Sequence, residues 1–330
     1  MLYYLIRRLV YMLIILWVLS VVSFIIIQLP PGDFVTSYMT QLARSGQQVD
    51  EAVLAALRKR YGLDLPIYVQ YFKWMWNLLH GDLGWSFIFN KPVAKLIGER
   101  LALTAAISIF TAIFTFVVAV PIGIYSATHQ YSVGDYVFTT VGFVGLATPN
   151  FLLALILMFI FFKYFNLSVG GLFSPEYIWA PWSIGKFVDM LKHLPIPIIV
   201  IGTAGTAGLI RVMRGCLLDE LRKQYVITAR AKGVKERTLL FKYPVRIAIN
   251  PIISTIGWML PGIVSGEMIT AIVLSLPTTG PLIFRALRSQ DMYLAASTFM
   301  LTSFLTVIGT FISDLLLVWV DPRIRYERKE

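Results

Sequence analysis

Six long apolar runs constrain the fold of this chain more than any other feature of its sequence. Residues 9–29 contain no charged side chain, and 21 residues rising about 1.5 Å each make a helix of roughly 30 Å, the thickness of a bilayer's hydrocarbon core. Of the 330 residues, 57% are hydrophobic and only 14% are charged. The sequence therefore predicts an all-α polytopic membrane protein, a single transmembrane domain over residues 1–330 with helices across residues 9–29, 101–127, 136–162, 193–210, 247–274 and 292–320.

Basic residues indicate which side of the membrane each connecting segment occupies. Arg7 and Arg8 precede the first apolar run, and lysine and arginine are concentrated in residues 211–246. Because loops rich in lysine and arginine stay on the cytoplasmic side, we expect this loop and both termini to be cytoplasmic. The first run is too long for the core of a signal peptide, so we expect an uncleaved span. The other connections are then two extracytoplasmic segments, residues 30–100 and 163–192, and a cytoplasmic tail, residues 321–330.

The loop at residues 211–246 is strongly basic. It holds ten lysine and arginine residues against three acidic ones. Gly233 interrupts a run of good helix formers within it, and an isolated glycine there predicts a sharp turn between two short helices. Charge alone fits a topology anchor as well as it fits a docking surface for a partner protein.

The order of residues in this loop resembles a known signature. Tyr225–Gly233 reads Tyr-Val-Ile-Thr-Ala-Arg-Ala-Lys-Gly, and it resembles the cytoplasmic signature of permease subunits of binding-protein-dependent ABC importers, which is Glu-Ala-Ala, three residues, then Gly. Ile227 stands in place of the glutamate, which the dipeptide/oligopeptide branch often lacks. Small residues such as Ala229 and Ala231 suit close approach by a partner. The resemblance implies an ATPase-coupling segment made of Ile227, Thr228, Ala229, Arg230, Ala231, Lys232, Gly233 and Val234.

A second match lies far from the first. Tyr61–Asp64, Gly81–Ser86 and the ending Asp321–Tyr326 also resemble the oligopeptide-permease branch. The resemblance implies a type I ABC importer permease fold in the cytoplasmic (inner) membrane, with six transmembrane helices and a helical extracytoplasmic insertion after the first. It also implies four partners: a second homologous permease subunit that completes a heterodimer, two ATP-binding subunits, and an extracytoplasmic solute-binding protein. ATP and magnesium would be held by the ATP-binding subunits, and we expect no cofactor on this chain.

Two polar features inside the apolar runs are candidates for the translocation pathway. Thr148, Pro149 and Asn150 interrupt the third run, and proline at membrane depth frees backbone carbonyls that need buried or wet surroundings. The alternative is a packed kink, the usual consequence of a proline in a span. Glu267 lies within the fifth run, and an ionisable residue there usually faces a cavity or a partner.

Two further stretches predict packing surfaces. Pro66 is placed to begin a helix over Ile67–Leu79, which carries five aromatic residues. Such a helix is typical of an interfacial element on the membrane surface, and stacking on substrate is the alternative interpretation. The glycine and alanine residues between Gly202 and Gly208 predict close helix packing in the fourth span, with the partner permease as one candidate neighbour.

The sequence lacks motifs for chemistry of its own. No Gly-x-x-x-x-Gly-Lys-Ser/Thr motif is present to hold nucleotide phosphates, and neither His-Glu-x-x-His nor Gly-x-Ser-x-Gly occurs. We therefore expect no catalytic residue, no bound metal and no ATP hydrolysis by this chain, and an intramembrane enzyme is disfavoured. The net charge of +11 comes from loops beside apolar runs, so it indicates membrane lipid and not nucleic acid as the surroundings.

The transported solute stays open at this stage. The resemblance implies import of oligopeptides, but similar members of the branch carry oligosaccharides or nickel complexes. The segment Leu276–Gly280 reads Leu-Pro-Thr-Thr-Gly and departs from the usual Leu-Pro-Gly-x-Gly, which is compatible with an oligosaccharide-handling subgroup. The second alternative is a stand-alone secondary transporter or channel.

Overall fold

Helices make up most of the described chain. A computed structural model describes residues 2–29, 32–36, 39, 52, 55–56, 58–59, 62–166, 169–253 and 268–320, with the side chains of residues 2–6 and 312–320 left aside. The main elements are α1 (Leu2–Gln28), α2 (Ile67–Leu79), β1 (Trp85–Ser86), β2 (Lys91–Pro92), α3 (Val93–Thr128), α4 (Val133–Ala147), α5 (Asn150–Phe165), α6 (Ile184–His193), α7 (Pro195–Leu221), α8 (Gln224–Ala231), α9 (Glu236–Lys242), α10 (Pro244–Ala248), α11 (Met268–Val273), α12 (Thr279–Arg288) and α13 (Met292–Val320).

The described helices confirm an all-α polytopic fold. Four of them are long and apolar enough to cross a membrane, and α4 with α5 makes a fifth candidate that is bent by 105°. Half of the span predicted over residues 247–274, namely residues 254–267, lies outside the described residues, as does the predicted tail at residues 321–330. The count of six spans therefore stays a prediction. The four unbroken candidates are Arg7–Gln28, Val93–Thr128, Pro195–Leu221 and Met292–Phe311.

Several helices extend beyond the apolar runs that predicted them, α3 and α7 most clearly. α3 already begins at Val93, inside the segment predicted as an extracytoplasmic loop, and α7 continues to Leu221, inside the predicted cytoplasmic loop. As a result Arg211 and Arg214 lie on a helix and not in a loop. Hydropathy detects only the lipid-immersed part of a helix, whereas backbone hydrogen bonding continues past it into the polar layer.

The first of two compact units comprises Met1–Thr104 and Pro277–Phe311. Helix α2 covers the residues predicted for the aromatic helix, and it buries Trp74 against Phe24 of α1, with ring centroids 5.8 Å apart. The indole N–H of Trp74 donates a hydrogen bond to the hydroxyl of Ser297 at 3.2 Å, so the buried polar tip of the ring is satisfied.

The opposite face of α2 points outward. Tyr68, Phe72 and Trp76 lie four residues apart on one side of the helix, and each is 66% exposed. An outward aromatic stripe is what the predicted interfacial helix requires. Contact of this stripe with lipid stays a prediction.

A buried carboxylate, that of Asp291, joins distant parts of the first unit. Asp291 is fully buried and accepts hydrogen bonds from the Ser86 hydroxyl at 2.6 Å and from the Ile88 N–H at 3.1 Å. Its second oxygen accepts from the Leu294 N–H at 3.2 Å, which caps the first turn of α13. Burial raises the pKa of the Asp291 carboxyl, and these donors offset only part of that effect.

The hairpin β1–β2 is an element that the sequence did not predict. Its strands pair antiparallel, Trp85 with Pro92 and Ser86 with Lys91. Asn90 in the turn adopts a φ of 48°, a left-handed conformation that asparagine tolerates better than most residues. The extracytoplasmic insertion was expected to be helical, and two-residue strands are too short for an alternating pattern to reveal them.

The unusual segment Leu276–Gly280 has a structural role. Thr279 is buried, and its N–H donates to the hydroxyl oxygen of Thr104 at 3.0 Å. The two threonine hydroxyls also lie 3.2 Å apart, within hydrogen-bond distance. Thr279 therefore positions the start of α12 within the first unit, whereas the side chain of Thr278, at the glycine position of the usual pattern, does not cap that helix.

In the second unit, Ala105–Leu276 with Ile312–Glu330, the described helices α4, α5, α6 and α10 pack against α7. A Cβ atom on Gly202 would come within 2.9 Å of the Phe114 ring of α3, and one on Gly145 of α4 would come within 2.7 Å of a Thr203 methyl group. Such distances allow no side chain at either position without a shift. The close packing predicted for the small residues of the fourth span is confirmed at Gly202, against a helix of the same chain, whereas a Cβ on Gly208 would meet no atom within 4 Å.

We predict that Asp291→Asn lowers the thermal stability of the purified protein. Whichever way the amide is oriented, its NH2 group faces either the Ile88 N–H or the Leu294 N–H and leaves one buried donor unpaired. The expected loss is roughly 1–3 kcal/mol, measured as a lower unfolding midpoint in detergent. Asp82→Asn is the matched control, because Asp82 is exposed and accepts only from the Gly84 N–H in the described hydrogen bonds. Equal shifts in the two variants would contradict the prediction.

Candidate functional site

Gly233 turns the chain between α8 and α9, and the sequence predicted a turn there. The Gly233 N–H donates to the Arg230 carbonyl at 3.0 Å, and the Val234 N–H donates to the Ala229 carbonyl at 3.3 Å. This pair of bonds, with Gly233 at a φ of 77°, is a Schellman motif that satisfies the last carbonyls of α8. The positive φ is the physical reason for a glycine at this position.

A small apolar core holds α8 and α9 together. Val226 and Leu239 are fully buried and Ala229 is 8% exposed, with Tyr225, Val234 and Tyr243 packed around them. Val226 and Ala229 are three residues apart and so share one face of α8. The interpretation of Ala229 as a residue at a partner's surface is therefore wrong, because its side chain faces the core of the segment.

The outward face of α8 contains most of the predicted coupling residues. Ile227 is 49% exposed, an apolar side chain open to the surroundings. Arg230 donates two hydrogen bonds to Glu236, at 2.6 and 3.1 Å, and this exposed pair links α8 to α9 across the turn. The Arg230 guanidinium lowers the pKa of the Glu236 carboxyl. Of the eight predicted residues, Ile227, Thr228, Arg230, Ala231, Lys232 and Gly233 are exposed, Val234 is half-buried and Ala229 is buried.

The segment is anchored to the long helix that precedes it and to α10. The Tyr225 hydroxyl donates to the carboxylate of Glu220 near the end of α7, and burial together with that carboxylate raises the pKa of Tyr225. Leu217 of α7 is buried in one cluster with Val245 and Ala248 of α10. The α8–α9 pair is therefore fixed at both ends to helices of the second unit.

Sequence reasoning had not singled out the residues that build this support. Val226 and Leu239 form the core of the segment, and Tyr225 ties it to α7. The spacing of Val226 and Ala229 was the available signal for the inner face. Nothing in the sequence alone indicated that Leu239, beyond the glycine turn, completes the same core.

The break at Thr148–Asn150 is sharper than the kink weighed as an alternative. Helix α4 ends at Ala147, and α5 starts at Asn150 at an angle of 105° to it. Pro149 is exposed, and its carbonyl accepts from the Leu152 N–H at 2.9 Å as the first bond of α5. The Thr148 hydroxyl and N–H both donate to the Val144 carbonyl, at 2.7 and 3.0 Å. The Val144 carbonyl at the end of α4 therefore has two donors, whereas α5 begins without a side-chain cap.

The second pathway candidate, Glu267, lies outside the described residues. Its place beside Thr148, Pro149 and Asn150 therefore stays a prediction. Over the part of the chain that the structure describes, no group of three or more His, Cys, Asp and Glu side chains is arranged to hold a metal ion.

Comparison with known proteins gives matches over almost the whole length. Residues 119–326 match the family described as the binding-protein-dependent transport system inner membrane component, and residues 1–108 match its N-terminal companion family. The chain is 35% identical to the oligopeptide transport system permease protein AppB of Bacillus subtilis. The alignment covers 98% of this chain and 99% of AppB. It is 32% identical to the dipeptide transport system permease protein DppB of Alkalihalophilus pseudofirmus, over 99% of this chain and all of DppB. It is 30% identical to the inner membrane ABC transporter permease protein YejB of Escherichia coli O157:H7, over 98% of this chain and 99% of YejB.

We predict that Gly233→Val loosens the coupling segment whereas Gly233→Asn does not. No atom lies within 4 Å of a Cβ built on Gly233, so a side chain there meets no clash and the cost is backbone strain alone. For valine we expect a backbone strain of about 1–2 kcal/mol, which corresponds to a roughly ten-fold rise in the amide exchange rate across residues 224–243. Asparagine visits the left-handed region more readily, so we expect a smaller rise for it. Hydrogen–deuterium exchange measured by mass spectrometry tests this. Wild-type exchange in the valine variant would contradict it.

Proposed function

Because this chain belongs to the family of binding-protein-dependent transport system inner membrane components, we propose that it is the permease subunit of an ABC importer of oligopeptides. The family match over nearly the whole chain carries this proposal. AppB and DppB bear names for oligopeptide and dipeptide transport, which favours peptides over oligosaccharides and nickel complexes. A stand-alone transporter or channel has no counterpart among the three relatives described above.

The proposed importer contains several chains. A solute-binding protein delivers the peptide from outside, and two ATP-binding subunits bind and hydrolyse ATP with magnesium. A second, homologous permease pairs with this chain as a heterodimer, and both permeases lie in the inner membrane with their termini in the cytoplasm. This chain forms part of the translocation pathway and connects the ATP-binding subunits to the membrane helices. It performs no catalysis.

Coupling to the ATP-binding subunits is assigned to the outward face of α8. Ile227 and Ala231 are exposed and lie four residues apart, so they form a compact apolar patch that a groove on a partner can cover. Lys232, also exposed, borders this patch and suits an acidic rim. Because the α8–α9 pair is packed onto α10 and bonded to α7, a push on the patch moves those helices as well. A transition of this kind needs contacts that differ between two states of the complex.

The broken helix is assigned to the translocation pathway. Non-helical backbone at membrane depth is tolerated where it is buried in protein or borders a wet cavity. Thr148 and Asn150 supply a hydroxyl and a side-chain amide for polar contact with a peptide, and Pro149 sets the break between them. Glu267 is assigned to the same pathway from its position in the sequence.

We predict that Ala231→Asp uncouples transport while leaving the segment folded. Ala231 is exposed, so a carboxylate there is solvated until the ATP-binding subunit covers it. Burying that unpaired charge costs more than about 1.4 kcal/mol, so we expect at least a ten-fold loss of peptide uptake in proteoliposomes containing the complete importer. Basal ATP hydrolysis should persist, because the nucleotide sites belong to the partners.

Ala229→Asp provides the matched comparison. Ala229 faces the core with Val226 and Leu239, so the same substitution there should unfold the segment and raise amide exchange across residues 224–243. Ala231→Asp should exchange like wild type. Normal coupled uptake in Ala231→Asp would mean that the segment is only a topology anchor.

A separate prediction concerns orientation. After Cys216→Ala removes the native thiol, a cysteine at Lys235 should be shielded from an impermeant thiol reagent in intact cells, and a cysteine at Lys91 should react. Both positions are exposed on the chain, so access depends on the side of the membrane. Cells permeabilised with detergent are the control, in which both should react. Labelling of Lys235→Cys from outside would overturn the proposed orientation.

A further inference from the structure

A groove lies between α4 and α7 of the second unit. It has a volume of about 260 Å³ and is walled mainly by apolar side chains, among them Phe143, Leu146 and Ile210. One end of it carries two arginines of α7, Arg211 and Arg214. The groove is thus apolar along its length and cationic at one end.

The sequence periods of the two helices produce this arrangement. Ala207, Ile210, Arg211 and Arg214 are spaced by three, four and seven residues, so they share one face of α7. Small residues at its floor bring the helices together, since a Cβ on Gly142 of α4 would lie 3.7 Å from the Ala207 Cβ.

An ion pair closes the polar end of the groove. The Arg214 guanidinium donates to both oxygens of Asp135, at 3.1 and 3.0 Å, and the side chain of Asp135 is only 4% exposed. Asp135 also accepts from the Tyr131 N–H at 3.0 Å and from the Thr139 hydroxyl at 3.5 Å. The carboxylate at the groove is therefore neutralised and well bonded, and it does not repel an anion.

Because the Arg214–Asp135 pair is neutral overall, Arg211 supplies the net positive charge at the groove. It is exposed at the groove, and over the described residues no hydrogen bond or ion pair to an acidic group is found for it. A cation at the mouth of an apolar groove on a membrane-spanning helix matches a molecule with an anionic head and a hydrocarbon tail.

We propose that this groove binds an anionic phospholipid of the cytoplasmic leaflet. The lipid phosphate pairs with Arg211, and one acyl chain lies along Phe143, Leu146 and Ile210. The choice of the cytoplasmic leaflet rests on the proposed function and its orientation, in which the basic segment after α7 is cytoplasmic. The groove lies on the part of α7 that leads into that segment. The binding itself depends only on the groove and is independent of the transported solute.

The test measures lipid retention by the purified complete importer in a neutral detergent. Phosphatidylglycerol is added, and bound lipid is counted by native mass spectrometry, with phosphatidylcholine as the uncharged comparison. Arg211→Gln should lower phosphatidylglycerol occupancy roughly five-fold, the equivalent of about 1 kcal/mol for one basic residue at an anionic surface. Arg211→Lys should retain most of it. Phosphatidylcholine occupancy should be low in all variants.

Arg222→Gln is the matched control. Arg222 is an exposed arginine at the end of the same helix, it does not line the groove, and its loss removes the same charge. An equal loss of lipid in Arg222→Gln would overturn the proposal in favour of a general surface-charge effect. Displacement of the lipid by soluble glycerol phosphate would overturn it in favour of a free-phosphate site.

Two further readouts keep the outcomes distinct. If this chain binds lipid when it is purified alone but not in the complete importer, a partner helix covers the groove, and the proposal fails. Thermal stability and subunit composition measured on each variant show whether the complex is intact. Because the assay counts lipid and not uptake, a failure here leaves the peptide-import proposal untouched, and a failure of peptide import leaves the lipid result standing.

Discussion

Backbone hydrogen bonding in a hydrocarbon layer is the constraint on which the rest of this structure depends. With no water available, each N–H and C=O at membrane depth needs a partner within the protein, and long helices provide it. The break between α4 and α5, where the direction changes by 105°, is the exception. Thr148 bonds back to the Val144 carbonyl, while the Pro149 carbonyl begins the next helix. Helix α5 itself starts without a side-chain cap.

Two buried carboxylates near helix ends hold neighbouring elements of the chain together. Asp291 ties the β-hairpin to the start of α13, and Asp135 holds Arg214 between α4 and α7. Each carboxylate accepts several hydrogen bonds, which offset part of the cost of its burial. The hydrogen bonds of these two carboxylates join residues far apart in the sequence. Loss of either carboxylate leaves buried donors or a charge without a partner.

The coupling segment shows how adjacent small residues take opposite roles. Ala229 completes a core with Val226 and Leu239, whereas Ala231 is exposed beside Ile227. The glycine turn makes this division possible, because a left-handed residue brings α9 back against the inner face of α8. The inner face gives the segment its shape and its connection to the rest of the second unit. The outer face, with Ile227 and Ala231, is exposed.

The sequence by itself determined the membrane class, four unbroken spans, the aromatic helix and the Gly233 turn, because apolar length and a glycine among helix formers act locally. Only the tertiary structure decided that Ala229 faces inward, that the third run bends by 105°, and that a hairpin is fastened by Asp291. These features depend on residues brought together from distant positions, as in the 205 residues that separate Ser86 from Asp291. Periodicity within one element contains no information about such partners.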